Sequence, residues 1–208
     1  MRCIATLNGH TYLVYGCAFS ADGTILVSAS RDKSVRLWNM KTFKNMATLR
    51  ARKQGFKGCD ISRDGILAAV SGKNIPLWDV NTKQNIAVLK GHTMWCYTCC
   101  FTADCTLLAS TSHDGTVRLW DMRTRESIAT LSSVGSITRQ CSFSSDGAWI
   151  VAACSMEKVA RVWDVKTFQC IATLQHDESV MSCSFSTNGM IATGNGLASK
   201  ESAIHLWQ

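Results

Sequence analysis

Histidine, serine and aspartate occur twice in this sequence at the same mutual spacing, and together these residue types can form a catalytic triad. The two sets are His10, Ser28 and Asp32, and His92, Ser110 and Asp114. In each set the serine follows the histidine by 18 residues and the aspartate follows it by 22. A triad activates its serine because the histidine takes the hydroxyl proton while the aspartate holds the imidazole. The duplication of the whole set, with no separate sequence for a nucleophile turn or an oxyanion hole, favours a repeated structural network over an enzyme.

A tryptophan follows each histidine by 28 residues and indicates what the network could hold in place. These tryptophans are Trp38 and Trp120. A buried indole N–H needs an acceptor, which a serine hydroxyl can supply while the imidazole bonds to the same hydroxyl. The carboxylate would fix the tautomer of the histidine. We therefore predict that both sets are structural and non-catalytic, with no cofactor.

The same tryptophans belong to a periodic pattern that runs through the whole chain. Tryptophans at positions 38, 78, 120, 163 and 207 are 40 to 44 residues apart, and cysteines at 17, 59, 99, 141 and 183 are 40 to 42 apart. A third motif, of the form Cys-Ile-Ala-Thr-Leu, begins at Cys3, Asn45, Asn85, Ser127 and Cys170. Three patterns with one period indicate internal repeats. We assign a single domain, 1–208, with units at about 3–44, 45–84, 85–126, 127–169 and 170–208.

Each unit contains four short runs that are rich in Val, Ile, Thr, Phe and Trp. In the first unit these runs are VYGCAFS, TILVSAS, SVRLWNM and NMATL. Such runs are typical of β-strands, and in four of the five units an Asp-Gly or Asn-Gly pair between the first two runs favours a tight hairpin. No stretch keeps the period of 3.6 residues that an amphipathic helix requires. The sequence therefore predicts an all-β protein.

Repeats of this length that end in VRLWN, IPLWD, VRLWD, ARVWD and IHLWQ resemble those of the WD-repeat β-propeller family. The resemblance covers essentially the whole chain. It implies five four-stranded antiparallel blades, with the first strand of each blade nearest the central axis. It also implies that the histidine, serine, aspartate and tryptophan of a unit form a hydrogen-bonded set within one blade.

The five blades could be arranged in two ways. The chain begins with a fourth-strand motif, CIATL, and ends just after a third-strand motif, so the first segment could complete the fifth blade and close a small ring. Alternatively, the units form an open arc of a larger propeller, whose end blades expose apolar faces and favour dimerisation. We favour the arc, because rings of this family usually contain more than five blades.

Some units depart from the network motif. Unit two has Arg52 in place of the histidine and Val70 in place of the serine, and it carries the only proline, Pro76, in its third run. Unit four has Val134 in place of the histidine. Unit five retains His176, Thr193 and Trp207. Because proline removes a ladder hydrogen bond from an internal strand, we predict that blade two is the least stable.

Composition narrows the cellular setting and the metal chemistry. The apolar runs are too short to span a membrane, there is no secretory signal, and eleven cysteines then indicate a reducing compartment, the cytoplasm or the nucleus. Cys96, Cys99 and Cys100 form a pattern that could be half of a zinc site. However, Cys99 belongs to the repeated set, and strand alternation places Cys100 on the opposite face. We therefore predict no metal site and five buried repeat cysteines.

Loop residues near the start of each unit are candidates for binding other proteins or peptides. They are Tyr12, Arg31, Arg52, Lys53, Met94, Trp95 and His113. Exposed aromatic residues are common interface anchors. The basic run Arg50–Lys57, placed in the loop that enters blade two, could bind an acidic peptide, a phosphopeptide or RNA, and the net charge of +7 is compatible with such partners.

Only unit three ends in Trp-Asp-x-Arg, through Arg123. This segment resembles the box with which propeller substrate receptors dock onto cullin-type ubiquitin ligases, where the arginine supplies a fork of hydrogen-bond donors. We predict a non-enzymatic protein-interaction scaffold, and we keep two alternatives: a ligase substrate receptor that docks through 120–123, and an RNA-binding adaptor that uses 50–57.

Overall fold

Five antiparallel sheets lie side by side as blades in a computed structural model of the chain, which describes residues 2–51, 53–132, 137–196 and 202–208. No helix occurs within these residues, and none could therefore cross a membrane. The prediction of an all-β fold built from repeated blades is confirmed. Four sheets have four strands and the fifth, within the described residues, has three, as expected if the N-terminal segment does not complete blade five.

Each blade is a meander in which consecutive strands pair. Blade one consists of β1 (Val14–Phe19), β2 (Ile25–Ser30), β3 (Ser34–Asn39) and β4 (Lys44–Arg50). Blade two consists of β5 (Phe56–Ile61), β6 (Ile66–Ser71), β7 (Asn74–Asp79) and β8 (Asn85–Lys90). Blade three consists of β9 (Cys96–Phe101), β10 (Leu107–Ser112), β11 (Thr116–Asp121) and β12 (Ser127–Ser132). Blade four consists of β13 (Thr138–Phe143), β14 (Trp149–Cys154), β15 (Val159–Asp164) and β16 (Cys170–Gln175), and blade five of β17 (Val180–Phe185), β18 (Ile191–Asn195) and β19 (Ile204–Trp207).

A short polar motif sets the hairpin between the first two strands of a blade. In blade one, Ser20 Oγ donates to Asp22 Oδ1 at 2.6 Å, and the backbone N–H of Thr24 donates to the same oxygen at 3.0 Å. Gly23 lies between them with φ of 70°, a left-handed conformation that glycine adopts without strain. Blade three keeps the same geometry with Cys105 at φ of 63°. The motif therefore ends the first strand and fixes the register of the second.

Apolar side chains are buried between neighbouring blades, so that each junction has its own core. Leu37 of blade one and Phe56 of blade two are fully buried in the first of these cores. Leu77 and Cys99 belong to the core between blades two and three, and two further cores join the later blades. Each inner strand packs beside the next in the order β1, β5, β9, β13, β17. An inner blade therefore covers both of its faces, whereas each end blade covers only one.

The burial of the repeated cysteines differs between the first blade and the blades that follow it. The last four, Cys59, Cys99, Cys141 and Cys183, are buried against the preceding blade, as predicted, whereas Cys17 is exposed. Cys59 Sγ, for example, lies 3.8 Å from the carbonyl oxygen of Gly16 in blade one. The prediction of five buried cysteines is wrong for Cys17 because no described residue forms a blade in front of blade one.

The outer edge of blade five is not covered by the N-terminal segment. Residues 3–7, which the sequence predicts as an outer strand, belong to no strand, and β19 is the last strand of its sheet. Ile4 and Ile204 are 76% and 78% exposed. The described residues thus show no strand pairing that would close a small ring.

The register of blade two corrects one assignment made from the sequence. Ala69, not Val70, pairs with Cys59, which is the position that Ser28 occupies opposite Cys17 in blade one. The hairpin of blade two is one residue shorter, because Ile66 follows Ser62 by four residues whereas the equivalent separation in blade one is five. Val70 consequently points into the core between blades two and three.

Candidate functional site

Blades one and three contain the two predicted sets in the same hydrogen-bonded geometry. In blade three, Trp120 Nε1 donates to Ser110 Oγ at 2.8 Å, and the Ser110 hydroxyl lies 2.8 Å from His92 Nε2. His92 Nδ1 lies 2.9 Å from Asp114 Oδ2, an oxygen that can only accept, so the imidazole proton is on Nδ1. Blade one repeats the arrangement with His10, Ser28, Asp32 and Trp38. The corresponding distances are 2.9, 2.7 and 2.8 Å.

These sets link the strands of their blades, and the serine of each set is buried. Ser110 has no exposed surface, and its hydroxyl oxygen is already bonded to the indole and the imidazole. A nucleophilic serine needs access to a substrate carbon and an oxyanion site beside it. In the described part of the chain, the Ser110 hydroxyl therefore lacks the access that nucleophilic catalysis requires.

Hydrogen bonds set the charge state of the network. Burial raises the pKa of Asp114, but the hydrogen bonds donated by Thr116, Thr93 and His92 outweigh it and lower the pKa to about 2. Burial lowers the pKa of His92 more than the nearby carboxylate raises it. At neutral pH the pair is therefore an ionised aspartate and a neutral histidine, which is the state that the hydrogen bonds require.

The other blades hold their tryptophans differently. In blade five, Trp207 Nε1 donates to Thr193 Oγ1 at 2.8 Å and His176 Nε2 lies 3.2 Å from the same oxygen, whereas His176 Nδ1 is buried with no partner in the described part of the chain. In blade two, Trp78 packs edge to face on Phe56, with ring centroids 5.8 Å apart. Arg52 and Val134, which stand in place of the histidine in units two and four, lie outside the described residues.

Residues of all five inner strands line an axial cavity of about 520 Å³, and from each strand they include one residue at an irregularity of the strand pairing. In β1, β5 and β17 these are Tyr15, Lys57 and Met181, which a bulge leaves out of the ladder. Tyr97 and Arg139 lie at the corresponding irregularities of β9 and β13. A bulge redirects a side chain away from the regular alternation of the strand. The bulges therefore place one residue per blade in the cavity.

Positive charge is concentrated on this cavity. Lys57 Nζ lies 4.2 Å from the ring centroid of Tyr97 and 5.2 Å from that of Trp95, and Arg139 Cζ lies 5.5 Å from that of Tyr97. Burial lowers the pKa of Lys57, and the charges of Arg139 and Arg31 lower it further. Among the described residues, no carboxylate lines the axial cavity or the adjoining cavity of about 390 Å³ that Arg31, Lys57 and Trp95 share. Cation–π contacts thus stabilise charges that no anionic side chain in the cavities neutralises.

A groove of about 980 Å³ runs along blade two. Pro76, Trp78 and Val88 line it from blade two, and Met94 and Trp95 line it from the loop that enters blade three. Its basic lining residues are Arg50, Lys53 and Lys73. The groove therefore combines an apolar surface with positive charges.

Departures from the repeat shape this groove. In blade one, Arg36 lies two residues before the tryptophan and extends over its ring, with Cζ 5.8 Å from the centroid of Trp38. Pro76 occupies that place in blade two and has no side chain that could reach over Trp78. The tryptophan consequently borders the groove, which lies along the unit that matches the repeat least.

The structure gathers most of the predicted binding residues on one face. The top face, as we call it, consists of the loops that lead into β1, β5 and β9 together with the turns that follow β2, β6 and β10. Tyr12 and Trp95 are 57% and 58% exposed there, and Arg31 Cζ lies 5.2 Å from the Tyr12 ring. The backbone N–H of His113 donates to the carbonyl oxygen of Trp95 at 2.8 Å, and the His113 ring bonds to the hydroxyl of Tyr97.

The other three predicted binding residues are Lys53, Arg52 and Arg123. Lys53 lines the groove beside Met94. Arg52 lies outside the described residues. Arg123 is exposed in the turn between β11 and β12, where its N–H donates to Asp121 Oδ1 at 2.8 Å, and this turn lies on the face opposite the top face.

The cavity residues were missed at the sequence level, and one placement was wrong. The basic run 50–57 is not one loop, because Arg50 belongs to β4 and Lys57 to β5. Lys57, Tyr97 and Arg139 each stand two residues before a repeat cysteine, and that common offset was the available signal. The offset alone did not indicate a cavity, since strict alternation would place these residues beside the cysteine in the blade junction.

The cysteine cluster of blade three is divided between two faces. Cys99 Sγ lies 3.7 Å from the carbonyl oxygen of Ala68 in blade two, whereas Cys100 Sγ lies 3.5 Å from Cys141 Sγ in blade four. The predicted placement of the two neighbours on opposite faces is thus what the strand shows. Within the described ranges, no group of three histidine, cysteine or acidic side chains is arranged to hold a metal ion.

Comparison with protein families gives four matches to one model, the WD domain, G-beta repeat. They cover residues 1–39, 83–121, 125–164 and 168–208, which together are most of the chain. The longest unmatched stretch, 40–82, is essentially unit two, in which the histidine, the serine and the arginine equivalent to Arg36 are all replaced.

Individual relatives match shorter stretches. Telomerase protein component 1 of Mus musculus is 33% identical over 75 residues, which are 34% of this chain and 3% of that protein. Transcription initiation factor TFIID subunit 5 of Drosophila melanogaster is 42% identical over 45 residues, 22% of this chain and 6% of that protein. Small ribosomal subunit protein RACK1 of Neurospora crassa is 47% identical over 36 residues, 17% of this chain and 11% of that protein. The chain therefore spans only a small fraction of the length of these curated relatives.

Proposed function

The chain belongs to the WD-repeat family, and we propose that it is a non-enzymatic scaffold that binds a peptide or protein segment of its partners on the top face. The observation that carries the proposal is the groove of about 980 Å³ along blade two, with an exposed tryptophan on its rim. Function is inferred here from a site rather than from the fold alone, because one fold serves many functions.

The chemistry of the groove suits a peptide. Trp95 is 58% exposed, and Met94 and Val88 add further exposed apolar surface nearby. An aromatic anchor beside a concave apolar surface, with charged residues at the rim, is the usual composition of a protein-binding hot spot. Lys53 and Lys73 supply such a rim and favour a partner segment with acidic residues.

Two further considerations support a scaffold. The serines of both His–Ser–Asp sets are enclosed within their blades, which leaves them unsuited to catalysis. Relatives of the chain include proteins named as a transcription-factor subunit and a ribosomal-subunit protein, and such names describe members of larger assemblies. We propose the cytoplasm or the nucleus as its location.

The test is affinity purification with a Tyr12→Ala/Trp95→Ala variant. Trp149→Ala is a matched control, because Trp149 is 43% exposed but begins β14 near the opposite face. We expect the double variant to lose a defined subset of partners that the wild type and the control both retain. Identical partner sets for all three proteins would contradict a binding site on the top face.

The two narrower alternatives stay predictions with their own tests. A ligase receptor that docks through 120–123 should lose its adaptor in a pull-down when Arg123 is replaced. An RNA adaptor should lose affinity steeply as the salt concentration rises, because phosphate contacts release counterions. Binding at an aromatic anchor should change little over the same salt range.

A further inference from the structure

We propose that Cys100 and Cys141 form a redox-sensitive thiol pair, which a peroxide converts into a reversible disulfide that links blade three to blade four. The two sulfur atoms lie 3.5 Å apart across the junction of these blades. In a reducing compartment, the disulfides that do occur are usually transient and redox-sensing. Both residues lie within strands rather than in the loops of the top face, so this inference is independent of the proposed function.

The first argument is that the repeat itself brings the two thiols together. Cys100 follows the repeat cysteine of blade three, and Cys141 is the repeat cysteine of blade four. The positions equivalent to Cys100 in blades one, two and four hold Ala18, Asp60 and Ser142. Asp60 and Ser142 also reach the following blade, where they accept hydrogen bonds from backbone N–H groups at 2.8 and 3.2 Å. Of the four junctions between described blades, only that of blades three and four has a cysteine at both positions.

The second argument is that strand packing holds the sulfur atoms where a bond needs only a small movement. Cys100 on β9 and Cys141 on β13 belong to the same apolar core between their blades. A disulfide has an S–S distance of about 2.05 Å, so the atoms must approach each other by roughly 1.5 Å. Cys99 does not compete for Cys141, because its Sγ lies 3.7 Å from the carbonyl oxygen of Ala68 on the other side of the blade.

The third argument is that the two thiols differ in accessibility, which gives each of them a role. Cys100 is half-buried, so a molecule as small as hydrogen peroxide can reach it, whereas Cys141 is only 5% exposed. The hydrogen bond with Cys100, together with burial, raises the pKa of Cys141 well above its ordinary value, so Cys141 keeps its proton at neutral pH. Oxidation of a cysteine follows exposure and thiolate character. Cys100 is therefore the sulfur that the oxidant attacks, and Cys141 is the thiol that resolves the product.

The reaction has two steps, with hydrogen peroxide as the oxidant. In the first, the deprotonated sulfur of Cys100 attacks one peroxide oxygen, an S–O bond forms, the O–O bond breaks, and the departing hydroxide takes up a proton to leave as water. In the second, the Cys141 sulfur attacks the sulfenic sulfur, the S–S bond forms, the S–O bond breaks, and the Cys141 proton leaves with the hydroxyl group as water. Two thiols together lose two electrons, and one peroxide is reduced to two waters. A dithiol reductant reverses the bond by exchange.

The disulfide would have a measurable consequence and a preferred partner. It joins positions that are 41 residues apart in the sequence, and a cross-link over such a loop stabilises a fold by restricting the unfolded chain. The exposed Cys3 and Cys170 are also open to oxidants, but their sulfur atoms contact a backbone carbonyl and a threonine hydroxyl. Oxidation at those sites is not followed by the same resolving step.

The experiment treats the full chain with hydrogen peroxide, blocks the remaining thiols with iodoacetamide and digests the protein with trypsin without reduction. Cleavage gives a peptide 91–118 that contains Cys100 and a peptide 140–158 that contains Cys141. Cys100→Ser and Cys100→Ala are the test variants, because serine and alanine occupy this position in other blades. Cys105→Ser is the matched control, because Cys105 is also half-buried and lies in the same peptide.

We expect the wild type and Cys105→Ser to yield a linked pair of these peptides, and fragmentation in the mass spectrometer to place the link between Cys100 and Cys141. The Tm of the oxidised monomer should rise by about 5 °C or more and return to its initial value after dithiothreitol is added. Both variants of Cys100 should show neither the link nor the rise in Tm.

Three results would overturn the thiol pair. The first is the absence of the link at a peroxide concentration that oxidises the exposed Cys17. The second is persistence of the link in both variants of Cys100, and the third is its occurrence in a covalent dimer alone, which non-reducing electrophoresis detects. Partner binding is not part of this measurement, so the scaffold proposal and the thiol pair stand or fall separately.

Discussion

The hydrogen-bonded set of blade three should carry a measurable share of the stability of the protein, and Ser110→Ala is the cleanest way to remove it. Ser110 is fully buried and bonds to both Trp120 and His92 at 2.8 Å. Its replacement by alanine leaves a buried indole N–H and a buried imidazole nitrogen without partners. Each unsatisfied group costs about 1–3 kcal/mol, so we expect a loss of about 3 kcal/mol in the free energy of unfolding.

Urea unfolding monitored by tryptophan fluorescence measures this loss, and hydrogen exchange of blade three shows whether it is local. Ser132→Ala is the control, because Ser132 is exposed on β12 of the same blade, and we expect it to change stability by less than about 0.5 kcal/mol. A double-mutant cycle with Trp120→Phe should give a coupling energy of about 1 kcal/mol or more. If Ser110→Ala costs no more than Ser132→Ala, the network contributes nothing and our reasoning is refuted.

Four further outcomes can be checked on the same protein. Amides of β5–β8 should exchange faster than those of β9–β12, because Pro76 removes a ladder bond and Trp78 lacks the hydrogen-bonded set; equal protection would contradict this. Folded Asp114 has its pKa lowered to about 2, so its contribution is complete above its ordinary pKa and is lost as the pH falls from about 4 to 2. The stability difference between wild type and Asp114→Asn in urea should therefore shrink over that range, and a constant difference would exclude the linkage. Iodoacetamide should label the exposed Cys17 in the native protein much faster than Cys96, because burial raises the pKa of Cys96 to about 12. Mass spectrometry measures the two labelling rates, and faster labelling of Cys96 would contradict the described packing of the blades. Arg123→Glu should leave binding at the top face unchanged, because Arg123 lies on the opposite face, and co-purification of the same partners measures this.

The blade architecture could be predicted because each unit repeats local signals that agree with one another. The predicted runs of unit one differ from β1 to β4 by one residue or so at each end. The networks at His10 and His92 were also predictable, since identical offsets imply identical surroundings. What local signals do not contain is the number of neighbours that a blade has. Cys17 was therefore expected to be buried like the other four, although its exposure depends on a blade that the described residues do not include.

The candidate site was only partly predictable for a related reason. Tyr12 and Trp95 stand out in the sequence as apolar residues in loops, and the structure places both on the top face. Lys57 and Arg139 were overlooked because a bulge changes where a strand residue points, and a bulge is a property of the pairing of two strands. The shorter hairpin of blade two likewise moved Val70 to the other side of its sheet.

The bulged position on each inner strand is freer in residue type than the other positions of the strand, because two structural constraints are relaxed there. A side chain in a regular register has to fit both the ladder and the blade junction, whereas the residues at 15, 57, 97, 139 and 181 meet neither demand fully. This explains how one position can hold tyrosine, lysine, arginine or methionine in blades that otherwise fold alike. Recognition in such a molecule can be retuned by single substitutions around the axis, while the indole networks farther out continue to set how firmly each blade holds together.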